Sequence, residues 1–226
     1  MKLFALAVLT PLAWAASPDL EEARNRQSVD GAERIAKDRA VAASSRLQDA
    51  PAQYDAALAY SYGAEVAQEL KDKKQARRLA ESGIPFAERA ISLQPRNGEY
   101  HRILGTLCGQ IVPADLLAGL SYGKRAQDEL GRAVQLEPKS HMVYTSRGVG
   151  YYYLPSAFGG GIDKAIKDFQ TALELNPRSS EAWLWLGIAM RRQNRNSEAR
   201  KALEKALEFN PGRRWAKEQL DRTPAN

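Results

Sequence analysis

Four stretches of the chain end alike: AISLQP at Pro95, AVQLEP at Pro138, ALELNP at Pro177 and ALEFNP at Pro211. Recurrence of this kind constrains architecture more than any other feature, because a repeated unit must bury its apolar face against the next copy. The prolines lie 43, 39 and 34 residues apart, and 34 residues is the period of a paired-helix repeat. Relative to that period, the two earlier intervals carry nine and five extra residues. No stretch alternates apolar and polar residues in the manner of a strand, so the pattern predicts an all-α chain.

The last unit is the most regular, with Trp183, Leu186, Gly187, Met190, Ala199, Leu203, Ala206 and Pro211 in order. This order resembles the tetratricopeptide repeat, W-x2-L-G-x2-Y…A-x3-F…P. The resemblance implies an α-α superhelix, a solenoid of helical hairpins. The physics agrees: small Gly187 and Ala199 let two helices approach closely, and Pro211 stops the second helix. The unit before it carries Tyr144, Gly148, Tyr151, Ala165, Phe169, Ala172 and Pro177, and the one before that His101, Leu104, Gly105, Cys108, Ala126, Leu130, Ala133 and Pro138. The extra residues then fall within GQIVPADLLAGLSYGK and LPSAFGGG, both expected as lengthened turns between paired helices. LPSAFGGG lacks the G-K-[ST] of a phosphate loop.

The boundaries that follow are a signal peptide over 1–15, N-terminal capping helices over 16–50, repeats over 51–212, and a C-terminal capping helix with a tail over 213–226. Within the repeats, 51–97 is degenerate, and 98–140, 141–179 and 180–212 are regular. Asp30 is the expected cap of an N-terminal helix. Residues 1–15, MKLFALAVLTPLAWA, combine Lys2, a short apolar run and an A-x-A end, which predicts export and a periplasmic or secreted location. The run is too short to span a membrane, so no stable membrane insertion is expected after cleavage. One cysteine, Cys108, excludes a disulfide framework. The net charge of +6 is mild, and nucleic acid is not an expected partner in that compartment.

The wider layout, a helical N-terminal part, AERAISLQP, a long insertion and then P-x-x-FGG, is similar to the periplasmic T component of tripartite ATP-independent periplasmic transporters. It is similar also to the tetratricopeptide region of regulator-of-microtubule-dynamics proteins. Both resemblances imply a binding or scaffold role.

In tetratricopeptide proteins the first helix of each hairpin lines the concave groove. Carried onto this sequence, that rule nominates Arg102, Thr145, Tyr152, Tyr153, Trp185 and Arg192 as groove residues. The lysine and asparagine of the family's carboxylate clamp are absent, with Leu184 and Ile188 in their places. An aromatic groove with basic edges suits a peptide segment of a protein partner, the leading expectation, or a small organic acid. Catalytic, metal-binding and cofactor-binding residues are not nominated: the two histidines, His101 and His141, stand 40 residues apart without companions at ligand spacing. The insertions discriminate the two partner classes, since a small-ligand site needs them folded over the groove.

Overall fold

The computed structural model describes residues 16–114 and 116–225. The expected signal peptide, 1–15, lies outside the described residues. Among them are eleven α-helices and no strand: α1 (Pro18–Asn25), α2 (Val29–Ser44), α3 (Ala50–Glu69), α4 (Lys73–Leu93), α5 (Gly98–Ile111), α6 (Leu116–Leu136), α7 (His141–Tyr153), α8 (Ile162–Leu175), α9 (Ser180–Arg192), α10 (Asn196–Phe209) and α11 (Arg214–Asp221). The pairs α3/α4, α5/α6, α7/α8 and α9/α10 form hairpins, and α4 packs on α5 and α8 on α9 to stack them. The result is a helical solenoid, with α2 packed on α3 at one end and α11 packed on α10 at the other.

The repeated prolines set the helix ends. In all four units the second helix stops two residues before the proline, at Leu93, Leu136, Leu175 and Phe209. A proline disfavours helical torsions in the residue before it, which leaves one residue to turn the chain. Several starts are set by side-chain caps: Asp49 accepts from the amide of Ala52 at 3.1 Å, and Asn97 from that of Glu99 at 3.0 Å. The cap of α2 is Ser28, which accepts from Gly31, and not Asp30. Asp30 falls in the first turn, where its charge faces the positive end of the helix.

The repeat glycines hold each hairpin closed. A Cβ on Gly105, Gly148 or Gly187 would lie 2.7, 2.5 or 2.6 Å from Leu130, Phe169 or Leu203 respectively. These three partners are the large residues of the second helices, all but fully buried, so the signature glycine and the signature large residue are one contact seen from two sides.

The two insertions differ from each other. LPSAFGGG is a lengthened turn: α7 ends at Tyr153, residues 156–158 make a 3-10 turn, and Gly159 and Gly161 take φ of +86° and +117°, torsions that glycine alone adopts without strain. GQIVPADLLAGLSYGK is not a turn, contrary to the sequence expectation. Only 112–114 form a 3-10 turn, and α6 already begins at Leu116. The segment after Pro113 is leucine- and alanine-rich with no further proline, so its intrinsic preference is helical and it extends the second helix by about two turns.

Packing predicts opposite outcomes for two glycines. Gly148→Ala drives a methyl group into Phe169 and lowers stability by about 1–3 kcal/mol, whereas Gly131→Ala, where no atom lies within 4 Å of the added carbon, raises it by about 0.5–1 kcal/mol. Urea denaturation followed by circular dichroism reads both.

Candidate ligand cavity

The first helices of the hairpins, α3, α5, α7 and α9, face inward and leave a cavity of about 630 Å³. The volume lies in the range of small-molecule sites. Helix α1 lies across this face, supplying Glu21 and Arg24 to the wall. Both insertions reach it as well, the first through Val112 and Gly123 and the second through Leu154 and Gly159. The carboxamide of Gln127 on α6 also donates to the Phe158 carbonyl of the second insertion at 3.3 Å.

One ionic cluster joins the two ends of the chain across the cavity. Arg213, fully buried, donates through Nη2 to Glu65 at 2.9 Å and to Glu69, and through Nη1 to Glu69 at 3.1 Å and to the carbonyl of Arg24 at 3.3 Å. Arg24 in turn forks onto Glu65 with bonds of 3.0 and 2.7 Å and reaches Glu181 at 2.7 Å. Asn210 donates to Asn25 at 3.1 Å beside them. These contacts span up to 189 residues of sequence, so α1 and α3 are locked to α9 and to the start of α11. The superhelix is thereby a closed ring at this level and not an open trough.

The cluster holds three carboxylates, Glu65, Glu69 and Glu181, against two guanidiniums. Burial pushes the Glu69 carboxyl up to about 7, the charge of Glu65 adding to this and Arg213 opposing it. Glu65 goes the other way, because Arg24 and Arg213 outweigh its own burial. A proton on Glu69 leaves the cluster with equal numbers of each charge, which is the arrangement a dry interior tolerates best.

The nominated groove residues divide. Arg102, Thr145, Tyr153 and Trp185 line the cavity, whereas Tyr152 and Arg192 do not. Arg192 sits over the Tyr152 ring at 4.9 Å and donates to the Tyr152 carbonyl at 3.0 Å, so these two cover each other on the outer side of an aromatic cluster. In that cluster Trp185 meets Tyr152, Tyr153 and Trp215 with centroids 5.6, 5.9 and 5.3 Å apart. Arg102 is on the wall but is not free: it forks onto buried Glu99 through Nε at 2.6 Å and through Nη2, and reaches Ser146 at 3.1 Å. Thr145 donates to the carbonyl of His141 at 2.9 Å. Leu184 and Ile188, at the positions of the absent clamp, are core residues. Of the expected basic edge, Arg102 is therefore already neutralised from within the fold, and Arg192 lies off the cavity against Tyr152.

Sequence reasoning missed Arg24, Glu65, Glu69, Glu181 and Arg213. A signal existed in α3, where Glu65 and Glu69 stand four residues apart on an alanine-rich helix that is otherwise almost uncharged. Their partners could not be found the same way, being 41 to 148 residues distant.

The histidines and the cysteine take structural places. His101 makes contacts of 2.6 Å to Glu129 and 3.0 Å to the Pro95 carbonyl, the Glu129 bond raising its proton affinity above the ordinary value, and so it ties α5 to α6. Cys108 is buried, with its thiol pushed up to about 12 by that burial. Among the described residues no group of three His, Cys, Asp or Glu is arranged to hold a metal ion.

Closure of the ring sets two measurable outcomes. Arg213→Met strands the buried Glu69 and removes one of the two guanidiniums on Glu65, and costs about 3–5 kcal/mol, while Lys205→Ala, on the exposed face, stays within about 0.5 kcal/mol; chemical denaturation compares them. Glu69 binds its proton more tightly folded than unfolded, so between about pH 7 and the ordinary 4.5 stability rises as pH falls, by up to about 3 kcal/mol. Thermal melts from pH 8 to pH 5.5 read that slope, and Glu69→Gln, which mimics the protonated form, flattens it.

The tetratricopeptide repeat family profile matches residues 158–214. Regulator of microtubule dynamics protein 3 of Bos taurus is 26% identical over 170 residues, covering 68% of this chain and 36% of that protein. The chain thus spans about a third of the length of that relative. A small glutamine-rich tetratricopeptide repeat-containing protein of Mycosarcoma maydis is 28% identical over 104 residues, covering 46% of this chain and 28% of that protein. Among solved structures, TTC0263, a thermophilic tetratricopeptide protein of Thermus thermophilus, superposes with a TM-score of 0.59 at 20% identity, covering 91% of this chain and 99% of that one. The HusA haemophore of Porphyromonas gingivalis gives 0.56 at 19%, covering 81% and 96%. Residues 158–214 thus carry tetratricopeptide repeats, and the proline-terminated hairpins, three of them with the signature glycine contact, together with these likenesses show the fold of a tetratricopeptide solenoid, a scaffold-like, protein-binding fold.

Proposed function

We propose that this protein is an exported, non-catalytic binding protein that captures a compact ligand in the cavity on the concave side of its repeats. The observation that carries the reading is the ring closure through Arg213, Arg24, Glu65, Glu69 and Glu181. An extended peptide needs a groove open along its length, whereas here α1 bridges the concave face and the two insertions contribute to the wall. A molecule that fits within about 630 Å³ is better matched to this shape than a through-running chain. The layout's resemblance to transporter T components, and the haemophore among the similar folds, agree with a carrier role. Export rests on the character of residues 1–15.

Native mass spectrometry on the chain purified gently from its own source tests this. The expected result is a retained non-covalent mass on the order of a few hundred daltons, lost when Met142→Trp fills the cavity from α7. A bare chain that instead retains a protein partner overturns the compact-ligand reading in favour of a peptide adaptor.

A further inference from the structure

The wall of the cavity is unusual in two respects that bear on the ligand's chemistry. First, it is cleared of side chains along one side. Gly109 on α5, Gly123 and Gly131 on α6, and Gly150 on α7 all line it. Unlike Gly105, Gly148 and Gly187, these four are not required by packing. A Cβ on Gly131 would meet nothing within 4 Å, and on Gly109, Gly123 and Gly150 its nearest neighbours would stand at 3.9, 3.7 and 3.4 Å, ordinary contact distances. Glycine inside a helix weakens it, so four helical glycines without a packing reason leave open the volume beyond them.

Second, the wall offers no free charge. Among the described residues every charged side chain that lines the cavity has an opposite partner: Arg24 with Glu65 and Glu181, Arg102 with Glu99, and Arg147 with Asp168 at 2.7 and 2.8 Å. Glu21 stands 3.9 Å from Arg24 and accepts from Tyr62 at 3.0 Å, and Asp128 pairs with Lys124 at 2.6 Å. Burial and the nearby charge of Arg102 lower the proton affinity of His141 against the smaller opposing effect of Glu99, and the balance favours the neutral ring. An ionised ligand entering this space would lose its hydration and find each counter-charge already taken.

What the wall does leave unmet is uncharged. Gln110 is 8% exposed, lines the cavity, and donates through Nε2 to the Ser61 carbonyl at 2.9 Å, which leaves its Oε1 as an acceptor without a partner. His141 Nδ1 is likewise unpartnered. Asn176 accepts from the Arg178 amide through Oδ1 and so turns its NH2 group to His141 Nε2 at 3.1 Å. That leaves the imidazole proton on Nδ1, an unmet donor. Buried polar groups in this state call for a partner.

Resting on the cavity reading above, we propose that the ligand is an uncharged, flat, ring-bearing molecule with a hydrogen-bond donor, seated against the glycine side of α5, α6 and α7. Tyr151, Tyr153 and Trp185 on the same cavity supply the aromatic contacts, and Gln110 Oε1 takes the donor.

Two fluorescent probes that share one ring skeleton test this. Phenylnaphthylamine is neutral and carries an N–H donor, and its anilinonaphthalene sulfonate counterpart adds a single negative charge. Both are titrated into the wild-type chain, Gly131→Ala and Gly131→Leu, with melting temperature and helical circular dichroism recorded for each. The expected result is that the neutral probe binds about tenfold or more tightly than the sulfonate. Gly131→Leu abolishes that binding with helicity and melting temperature undiminished, and Gly131→Ala weakens it in part. Equal or tighter sulfonate binding overturns the uncharged ligand, and neutral-probe binding that survives Gly131→Leu overturns the glycine wall, each leaving the cavity reading intact. Failure of both probes to bind overturns the inference and the cavity reading together. Should Gly131→Leu fail to fold, Gly131→Ala still decides, because unchanged affinity in that variant overturns the glycine wall.

Discussion

A fully buried guanidinium organises this molecule. Arg213 has no water to solvate it, and an isolated buried charge costs far more than a domain's net stability. It is tolerated because Glu65 and Glu69 on α3 and the Arg24 carbonyl at the end of α1 converge on it. The ion group contributes less to net stability than to uniqueness: once three distant segments must meet at one cation, the hairpin stack has a single curvature that satisfies them. That curvature brings α1 over the concave face and turns a groove into a cavity. The capping helices are thus more than covers for exposed ends, since α1 and α11 flank the charge that closes the ring.

The same reasoning explains why a basic groove became a neutral one. Position within a repeat decides which face a residue joins, and Arg102 does join the concave face. Its availability is decided by Glu99, one helical turn away and itself buried with Tyr54 donating to it at 2.7 Å. Arg147 is likewise taken by Asp168 on the paired helix. An arginine on a low-dielectric wall either has a partner in the fold or waits for one from a ligand, and in this chain the fold supplies it.

The departures from the regular repeat serve the cavity. Nine extra residues lengthen α6 into a wall, and five extra residues make a glycine-rich turn whose end lies against that wall. Regular hairpins of equal length would leave the concave side open. Rigid signature contacts at Gly105, Gly148 and Gly187 hold the hairpins, which frees the inserted residues to shape the space between them.

The hairpins, their order and their ends were legible in the sequence, because they depend on local causes: a proline two residues past a helix end, a glycine facing a large residue across one turn, an apolar stripe at helical spacing. The aromatic part of the wall was legible in outline too, since Trp185 and Tyr153 follow from repeat position. Tyr152 and Arg192 lie off the cavity wall because neighbouring residues on a helix point to different faces, and a modest rotation of the helix decides which one sees the cavity. The helical nature of the first insertion was obscured by its proline and glycines, which read as a turn until α4 and α5 give the segment something to pack on. Closure through Arg213 and the shape of the cavity were decided by tertiary structure alone. They depend on side chains more than a hundred residues apart meeting where water is excluded, and the energy of such a meeting is set by what surrounds a charge, which no local pattern in the chain records.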